Sequence, residues 1–98
     1  MKIAQGFVDF DSGNNPTMMN PTDVGDRVYT ETISLDGPGN KVPAVAVAVR
    51  LMDHISSTNL RYEVTAEAIT ATSCEIRLRT WDNTRLAKVR VAWSAAFA

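Results

Sequence analysis

Apolar and polar side chains alternate along most of this chain with a period of two. The pattern is clearest at Ser73–Thr80, where Ile76 and Leu78 alternate with Arg77 and Arg79. Such alternation is typical of a β-strand with one buried face, and no stretch shows the sustained period of 3.6 that indicates a helix. The pattern predicts strands at 3–10, 27–35, 44–52, 59–70, 73–80 and 87–97. Strands of this number and length, joined by turns, predict an all-β fold, a six-stranded antiparallel β-sandwich.

The segment between the last two predicted strands carries Trp81, followed by Asp82 and Asn83. Asp and Asn favour turns, so this segment is predicted to be the tip of a hairpin. Trp81 has two interpretations. It is either the last core residue of its strand or, because it shares the face of Arg77 and Arg79, an aromatic platform outside the core. A flat ring beside carboxylate and amide groups suits the apolar face of a sugar.

The third predicted strand is apolar on both faces. One face carries Val45, Val47, Val49 and Leu51, and the other carries Ala44, Ala46 and Ala48. An antiparallel strand with one solvated face should instead alternate apolar with polar residues. The small apolar face is therefore predicted to be covered, either by a symmetry-related subunit or by a loop of the same chain.

The segment 9–26 shows no alternation and is rich in turn-forming residues. A patternless loop of this length in a small domain is often functional. Asp9 and Asp11 are two residues apart, as in a calcium loop, but the other ligand positions and the closing Glu are missing, so no metal site is predicted. A further turn is predicted at 36–40, where Gly and Pro cluster.

Composition narrows the classes of function. A chain of 98 residues is predicted to form a single domain, 1–98. Its formal net charge of −1 argues against nucleic acid or an anionic membrane as the partner. Cys74 is the only cysteine, which excludes an intrachain disulfide and a Cys-based zinc site. No apolar run approaches the ~20 residues of a transmembrane helix and no signal-peptide core is evident, so membrane insertion is not predicted and the localisation is left unassigned.

No set of catalytic residues stands out. The sequence has no Gly-rich phosphate loop, and its only histidine, His54, has no cysteine or second histidine as a partner. The pair Asp9 and Asp11 fits solvated turn chemistry better than acid–base catalysis. A binding module that requires no cofactor is therefore favoured over an enzyme.

Three short motifs at fixed spacing resemble the H-type lectin domain family, which includes snail agglutinins and the C-terminal domain of discoidins. They are Asn59-Leu60-Arg61, Thr80-Trp81-Asp82-Asn83-Thr84 and the strand end Trp93-Ser94. The likeness runs without gaps from about residue 33 to the C-terminus, and only the loop from 13 to 27 aligns poorly.

The resemblance implies a homotrimer, or a dimer of trimers, with glycan sites near the subunit boundaries that take galactose or N-acetylgalactosamine. By position in the family motif, Arg61 would donate hydrogen bonds to sugar hydroxyls and Trp81 would pack beside the sugar. Gly25 and Asp26 are the nearest match to a Gly and an Asp that the family uses in the long loop. Because that loop aligns poorly, Asp23 stands as an alternative to Asp26.

Two departures from the family pattern lie at the site. A snail member has His where this chain has Asp82, and Tyr where it has Ala87. The first change replaces a hydrogen-bond donor with an acceptor, and the second removes an aromatic wall. They keep a second hypothesis open, a trimeric structural or attachment module, for example in a phage tail, without a working sugar site.

Overall fold

The computed structural model describes residues 2–35 and 40–98, and its architecture is the predicted β-sandwich. The strands are β1 (Lys2–Asp11), β2 (Arg27–Ser34), β3 (Ala44–His54), β4 (Tyr62–Glu67), β5 (Ser73–Thr80) and β6 (Leu86–Phe97). One 3₁₀ turn, Pro16–Met18, interrupts the loop between β1 and β2. Within the described residues, no helix is long and apolar enough to cross a membrane. All but one residue of the turn predicted at 36–40 lie outside the described ranges.

The strands form two antiparallel three-stranded sheets, ordered β1-β6-β3 and β2-β5-β4. Consecutive strands β5 and β6 therefore belong to different sheets, and the prediction that residues 82 and 83 form a hairpin tip is wrong. The segment 81–85 is instead a corner that carries the chain from one sheet to the other. Alternation identifies which residues share a face of a strand, but it does not identify the strand's neighbour.

The core lies between the inner faces of the two sheets. In β5 every second residue is buried, at Cys74, Ile76, Leu78 and Thr80. In β6 the inner positions include Val89, Val91, Ala95 and Phe97, all with no exposed surface. Trp93 also packs against this core, over Gly6, where an added Cβ would lie 3.0 Å from the indole Cζ2. A larger residue at position 6 would displace the ring.

The outer face of the β1-β6-β3 sheet carries many exposed apolar residues. Its exposed apolar residues are Ile3, Phe7, Ala44, Ala46, Ala48 and Leu51, which together are called the apolar face. A register shift in β3 between Val49 and Leu51 turns Leu51 outward, opposite Arg90, so its predicted placement beside Val49 is wrong. Since the alanines of β3 are exposed, no loop of the described residues covers them.

The fourth strand is shorter at both ends than the predicted range of 59–70, and each end has its own local cause. Residues 59–61 hydrogen-bond to the corner at 83–84 instead of extending the ladder. At the other end Ala68 has a left-handed backbone with φ 50°. Strand β4 therefore begins at Tyr62, and its start is fixed by contacts with the corner.

Candidate functional site

Three candidate residues lie at one end of the β2-β5-β4 sheet. The last row of that sheet is Arg27, Thr80 and Tyr62, because Thr80 pairs with both of the others. The next residue outward along each strand is Asp26, Trp81 and Arg61, respectively. The strand register thus places an acceptor, an aromatic ring and a cationic donor from three distant parts of the chain at the same end of the sheet.

Trp81 is half-buried and lies outside the buried core, so its interpretation as a core residue is wrong. The guanidinium of Arg79 stacks on its ring, 4.3 Å from the ring centroid. Arg79 also donates to Asp26 Oδ2 at 3.2 Å and to Glu63 Oε1 at 3.4 Å. Arg79 therefore links the ring to a carboxylate of β4 and to the carboxylate just before β2. The stacking confirms the prediction that Trp81 shares the face of Arg79.

Asp82 forms the turn of the corner. Its backbone is left-handed, with φ 61°, a conformation that Asp tolerates better than most residues. Its N–H donates to the Val24 carbonyl at 2.9 Å, which joins the corner to the long loop. Its Oδ2 accepts from the Asn59 side-chain amide at 2.9 Å, while Asn83 Oδ1 accepts from the Asn59 backbone N–H at 3.0 Å. Asn59 thus fixes the orientation of both corner side chains.

Arg61 is held by its backbone and exposed at its side chain. Its N–H donates to Thr84 Oγ1 at 2.8 Å, and the same hydroxyl donates to the Asn59 carbonyl at 2.6 Å. Within the described part of the chain the Arg61 guanidinium makes no hydrogen bond or ion pair. Its donors are therefore directed to solvent from a fixed point on the backbone.

The two loop carboxylates have different environments. Asp23 Oδ1 accepts from the Gly25 N–H at 2.8 Å, so Asp23 caps its own turn. A Cβ on Gly25 would lie 3.2 Å from that oxygen, so a larger residue there would require the Asp23 carboxylate to shift by a few tenths of an ångström. Asp26 instead lies beside Arg79, and its side chain is 59% exposed. Of the two, Asp26 is the one at the end of the sheet next to Trp81.

Beneath this end of the sheet lies a buried arginine. Arg27 is 9% exposed and donates to the carbonyls of Asp23, Gly25 and Thr84 at 2.8, 3.1 and 3.3 Å. Among the described residues, Arg27 Nε and Thr80 Oγ1 are the buried side-chain polar atoms without a partner, and they belong to directly paired residues. A polar layer therefore underlies the candidate residues.

A charged cluster lies on the apolar face. Arg90 donates to Asp9 at 2.8 and 3.2 Å and stacks on Phe7 at 4.7 Å from the ring centroid. Lys88 lies 3.9 Å from the same carboxylate. The hydrogen bond from Arg90 and the nearby charges hold the pKa of Asp9 below its ordinary value, against a smaller opposing effect of burial. Gln5, Arg50 and Ser94 are further polar residues around the apolar side chains of this sheet.

The sheet end presents several groups that form polar contacts. It offers free guanidinium donors, carboxylate acceptors and part of an indole ring within one surface. Among the described residues no group of three or more His, Cys, Asp and Glu side chains could hold a metal ion. Burial raises the pKa of the Cys74 thiol, which leaves it less reactive.

The sequence did not identify Arg79, Glu63 and Arg27 as parts of this site. Alternation placed Arg79 on the face of Trp81, but the stacking depends on side-chain geometry. Arg27 occupies an inner position at the start of β2, and a charged residue at a predicted core position was the available signal.

Comparison with known proteins agrees with this architecture. The family model of the H-type lectin domain matches residues 27–96. A relative from Fuscovulum blasticum, "ATP synthase subunits region ORF 7", is 35% identical over 89 residues, which is 91% of this chain and 74% of the relative. The name of that relative states no activity.

Two structures of discoidin II from Dictyostelium discoideum are similar in fold. One has a TM-score of 0.80 at 20% identity, and a wild-type structure has 0.74 at 18%. Each match covers 99% of this chain and 37% of the discoidin II chain, so this chain spans little more than a third of that protein. With the family match covering most of its length, the chain belongs to the H-type lectin domain family.

Proposed function

We propose that this protein is a carbohydrate-binding lectin that recognises galactose or N-acetylgalactosamine on glycans, and that it acts by binding without turnover. The observation that carries the proposal is the convergence of Asp26, Trp81 and Arg61 just beyond the last row of one sheet. Sugar recognition needs hydrogen-bond donors and acceptors set around an apolar ring face. Family membership supports the same conclusion.

Each candidate residue has a role that its geometry supports. Arg61 donates from its unpaired guanidinium to two adjacent sugar hydroxyls. Asp26 accepts from a hydroxyl, since Arg79 occupies its Oδ2 and most of the side chain is exposed. Gly25 brings its backbone close to the ligand, and Trp81 packs against the apolar C–H face of the sugar.

Asp82 is an additional acceptor at the edge of the site. Its Oδ2 already accepts from Asn59, so its other carboxylate oxygen is the one that can accept from a sugar hydroxyl. A carboxylate oxygen can only accept a hydrogen bond. It therefore favours a sugar that places a hydroxyl group next to Asp82, and it disfavours one that places a carbonyl or carboxylate oxygen there. Asp82 is therefore proposed to set specificity within the galactose class.

The apolar face supports assembly into a homotrimer. Ile3, Phe7 and Leu51 are 60%, 54% and 41% exposed in the single chain, beside a row of exposed alanines. A surface of this kind is typical of a face buried against a second copy of the chain. Three such chains would place three sugar sites on one particle, and two trimers could stack.

Multivalency explains why weak sites suffice. A shallow site of millimolar affinity corresponds to about −4 kcal/mol. Joint engagement of several sites on a glycan-coated surface raises the overall affinity by about 10²–10⁴. The expected activity is thus agglutination or adhesion to glycan-bearing surfaces.

The proposal is tested with a glycan array on the purified protein, with its mass measured by light scattering. We expect a galactose-type or N-acetylgalactosamine-type signal and a trimeric or hexameric mass. Arg61→Ala and Trp81→Ala should abolish the signal without changing the mass, since removing a hydrogen-bonded charge at such a site costs roughly 2–5 kcal/mol. Arg77→Ala is the matched control, because Arg77 lies on the same outer face of β5, farther from the site.

A second candidate function is a trimeric attachment module without a working sugar site. Two residues favour it. Asp82 is already bonded to Asn59, and Ala87 offers no aromatic wall. A blank result from a confirmed trimer on a broad glycan array would eliminate the lectin and favour the module.

A further inference from the structure

The three chain segments that carry the candidate residues are joined by two buried residues, Arg27 and Thr84. We infer that Thr84 and Arg27 are positioning residues, which hold Arg61 and the loop of Gly25 and Asp26 in one fixed arrangement. The inference rests on the proposed function for its ligand. Its geometric part, however, can be tested without any ligand.

Thr84 fixes the segment that leads to Arg61. The residue has no exposed surface, and its hydroxyl both donates to the Asn59 carbonyl at 2.6 Å and accepts from the Arg61 N–H at 2.8 Å. A hydroxyl can do both at one atom, whereas the methyl group of a valine can do neither. These two bonds replace the strand ladder between residues 59 and 61, since β4 begins at Tyr62. Without the hydroxyl, the backbone that carries Arg61 loses its attachment to the corner.

Arg27 fixes the long loop to the same corner. Its guanidinium bonds to the carbonyls of Asp23 and Gly25 on the loop and to the carbonyl of Thr84 on the corner. A planar fork can hold three carbonyls on two segments at once, which a lysine ammonium on a flexible stem does poorly. Among the described residues no carboxylate forms an ion pair with Arg27.

A buried cation without a carboxylate partner is a poor device for stability, because its desolvation is costly. An apolar residue of similar volume would serve the core as well or better. What the apolar residue could not do is attach the loop to the corner. The bonds of Arg27 therefore fit a role in site geometry.

The two residues form one connection because Thr84 takes part through both its carbonyl and its hydroxyl. From the loop to Arg61 the links are Arg27 to Thr84, and Thr84 to Arg61. A site held in its bound arrangement before the ligand arrives loses less conformational freedom on binding. Loss of either link should therefore weaken binding although neither residue touches the sugar.

The test compares Thr84→Val, which keeps the shape and removes the hydroxyl, with Thr84→Ser, which keeps the hydroxyl. We measure the affinity for free N-acetylgalactosamine and the hydrogen exchange of backbone amides. Thr84→Val should bind at least about tenfold more weakly, equal to about 1.4 kcal/mol, while Thr84→Ser stays close to the wild type. In Thr84→Val the Arg61 amide should exchange faster, with the amides of β5 and β6 unchanged.

Arg27→Met provides the second variant and remains informative if Thr84→Val fails to fold. It should keep the melting temperature, bind more weakly and speed exchange at Gly25 and its neighbours. Unchanged affinity in a folded Arg27→Met or Thr84→Val would overturn the inference, as would a uniform rise in exchange over the whole chain. If the wild type does not bind the sugar, the proposed function fails for that sugar, and unaltered exchange at Arg61 and Gly25 in these variants would separately overturn the positioning roles.

Discussion

The two outer faces of this sandwich differ although their inner faces share one core. The outer face of the β2-β5-β4 sheet, here called the charged face, carries Glu63, Glu75, Arg77 and Arg79. Its arginines are paired, Arg77 with Glu75 and Arg79 with Glu63 and Asp26. On the other sheet, the ion pairs among the described residues join Asp9 to Lys88 and Arg90, beside the exposed apolar side chains of the apolar face.

The difference fits the proposal that assembly uses the apolar face and that ligand binding uses the end of the other sheet. A charged, internally paired face is satisfied in water and needs no cover. An apolar face with exposed Phe7 and Ile3 leaves surface that is more stable when buried. The candidate sugar site lies at the end of the charged face. Subunits that associate through the apolar face of the other sheet would therefore leave the charged face uncovered.

The largest expected effect is a charge placed in the middle of the apolar face. Ala46→Lys should convert the proposed trimer into monomers, because an unpaired buried charge would cost at least about 3 kcal/mol per subunit. Sedimentation or light scattering measures the change in mass. Thr30→Lys, on the outer face of β2, is the control and should leave the mass unchanged. A monomeric wild type would contradict the proposal that the apolar face is a subunit interface.

The next effect comes from truncating one exposed apolar side chain on each sheet. Phe7 and Val28 are 54% and 55% exposed in the single chain, on opposite outer faces. Phe7→Ala should weaken association by about 1–2 kcal/mol per subunit, since the ring is buried in the trimer. Val28→Ala should change stability and association by less than about 0.5 kcal/mol. Concentration-dependent sedimentation measures both, and equal effects would contradict an interface on the apolar face.

A smaller effect is expected at the charged face, where Arg79 connects Trp81 to Asp26. Arg79→Met should lower the free energy of unfolding by less than about 1 kcal/mol, because its ion pairs are partly exposed. Glycan affinity should fall about threefold to tenfold, since the ring and the carboxylate lose their common partner. Arg77→Met should retain affinity. A glycan titration measures the affinity of both variants. Equal losses of affinity in Arg79→Met and Arg77→Met would show that the effect is not specific to the site.

The smallest effect is an acid dependence that comes from the apolar face. Arg90 lowers the pKa of Asp9 in the folded chain from its ordinary value of 3.8. Because the folded pKa is lowered, the Asp9–Arg90 pair contributes its full stabilisation of the folded chain above the ordinary pKa of Asp9. This stabilisation is lost as the pH falls through the lower, folded pKa. Melting temperature measured between about pH 5 and pH 2 should therefore fall more in the wild type than in Asp9→Asn. Parallel profiles would show that the pair contributes nothing to acid stability.

Much of the fold followed from the alternation of side chains. The strands at 44–54, 73–80 and 86–97 lie close to their predicted ranges, and Phe97 and Trp93 pack as expected on the inner face. The predicted loop at 9–26 concealed a core residue, Met18, which is 1% exposed at the end of the 3₁₀ turn. A single apolar side chain in a loop has no periodic neighbour, so no pattern identifies it.

The candidate site was accessible to the sequence only in part. Trp81, Asp82, Arg61, Gly25 and Asp26 were chosen from motifs and from the face of Trp81, and their roles in binding stay predictions. The choice between Asp23 and Asp26 could not be made from a loop that aligns poorly. The structure separates the two by their partners, the Gly25 N–H for Asp23 and Arg79 for Asp26.

What the sequence by itself determined is which side chains share a face, because the β pleat imposes a period of two on every strand. It thereby determined the sandwich, the apolar alanine row and the outward direction of Trp81. Only the tertiary structure decided which strands are neighbours, where the bulge turns Leu51 outward, and that β5 and β6 lie in different sheets. Strand pairing joins residues far apart in the chain, so the row that brings Asp26, Trp81 and Arg61 together exists only once the register is set.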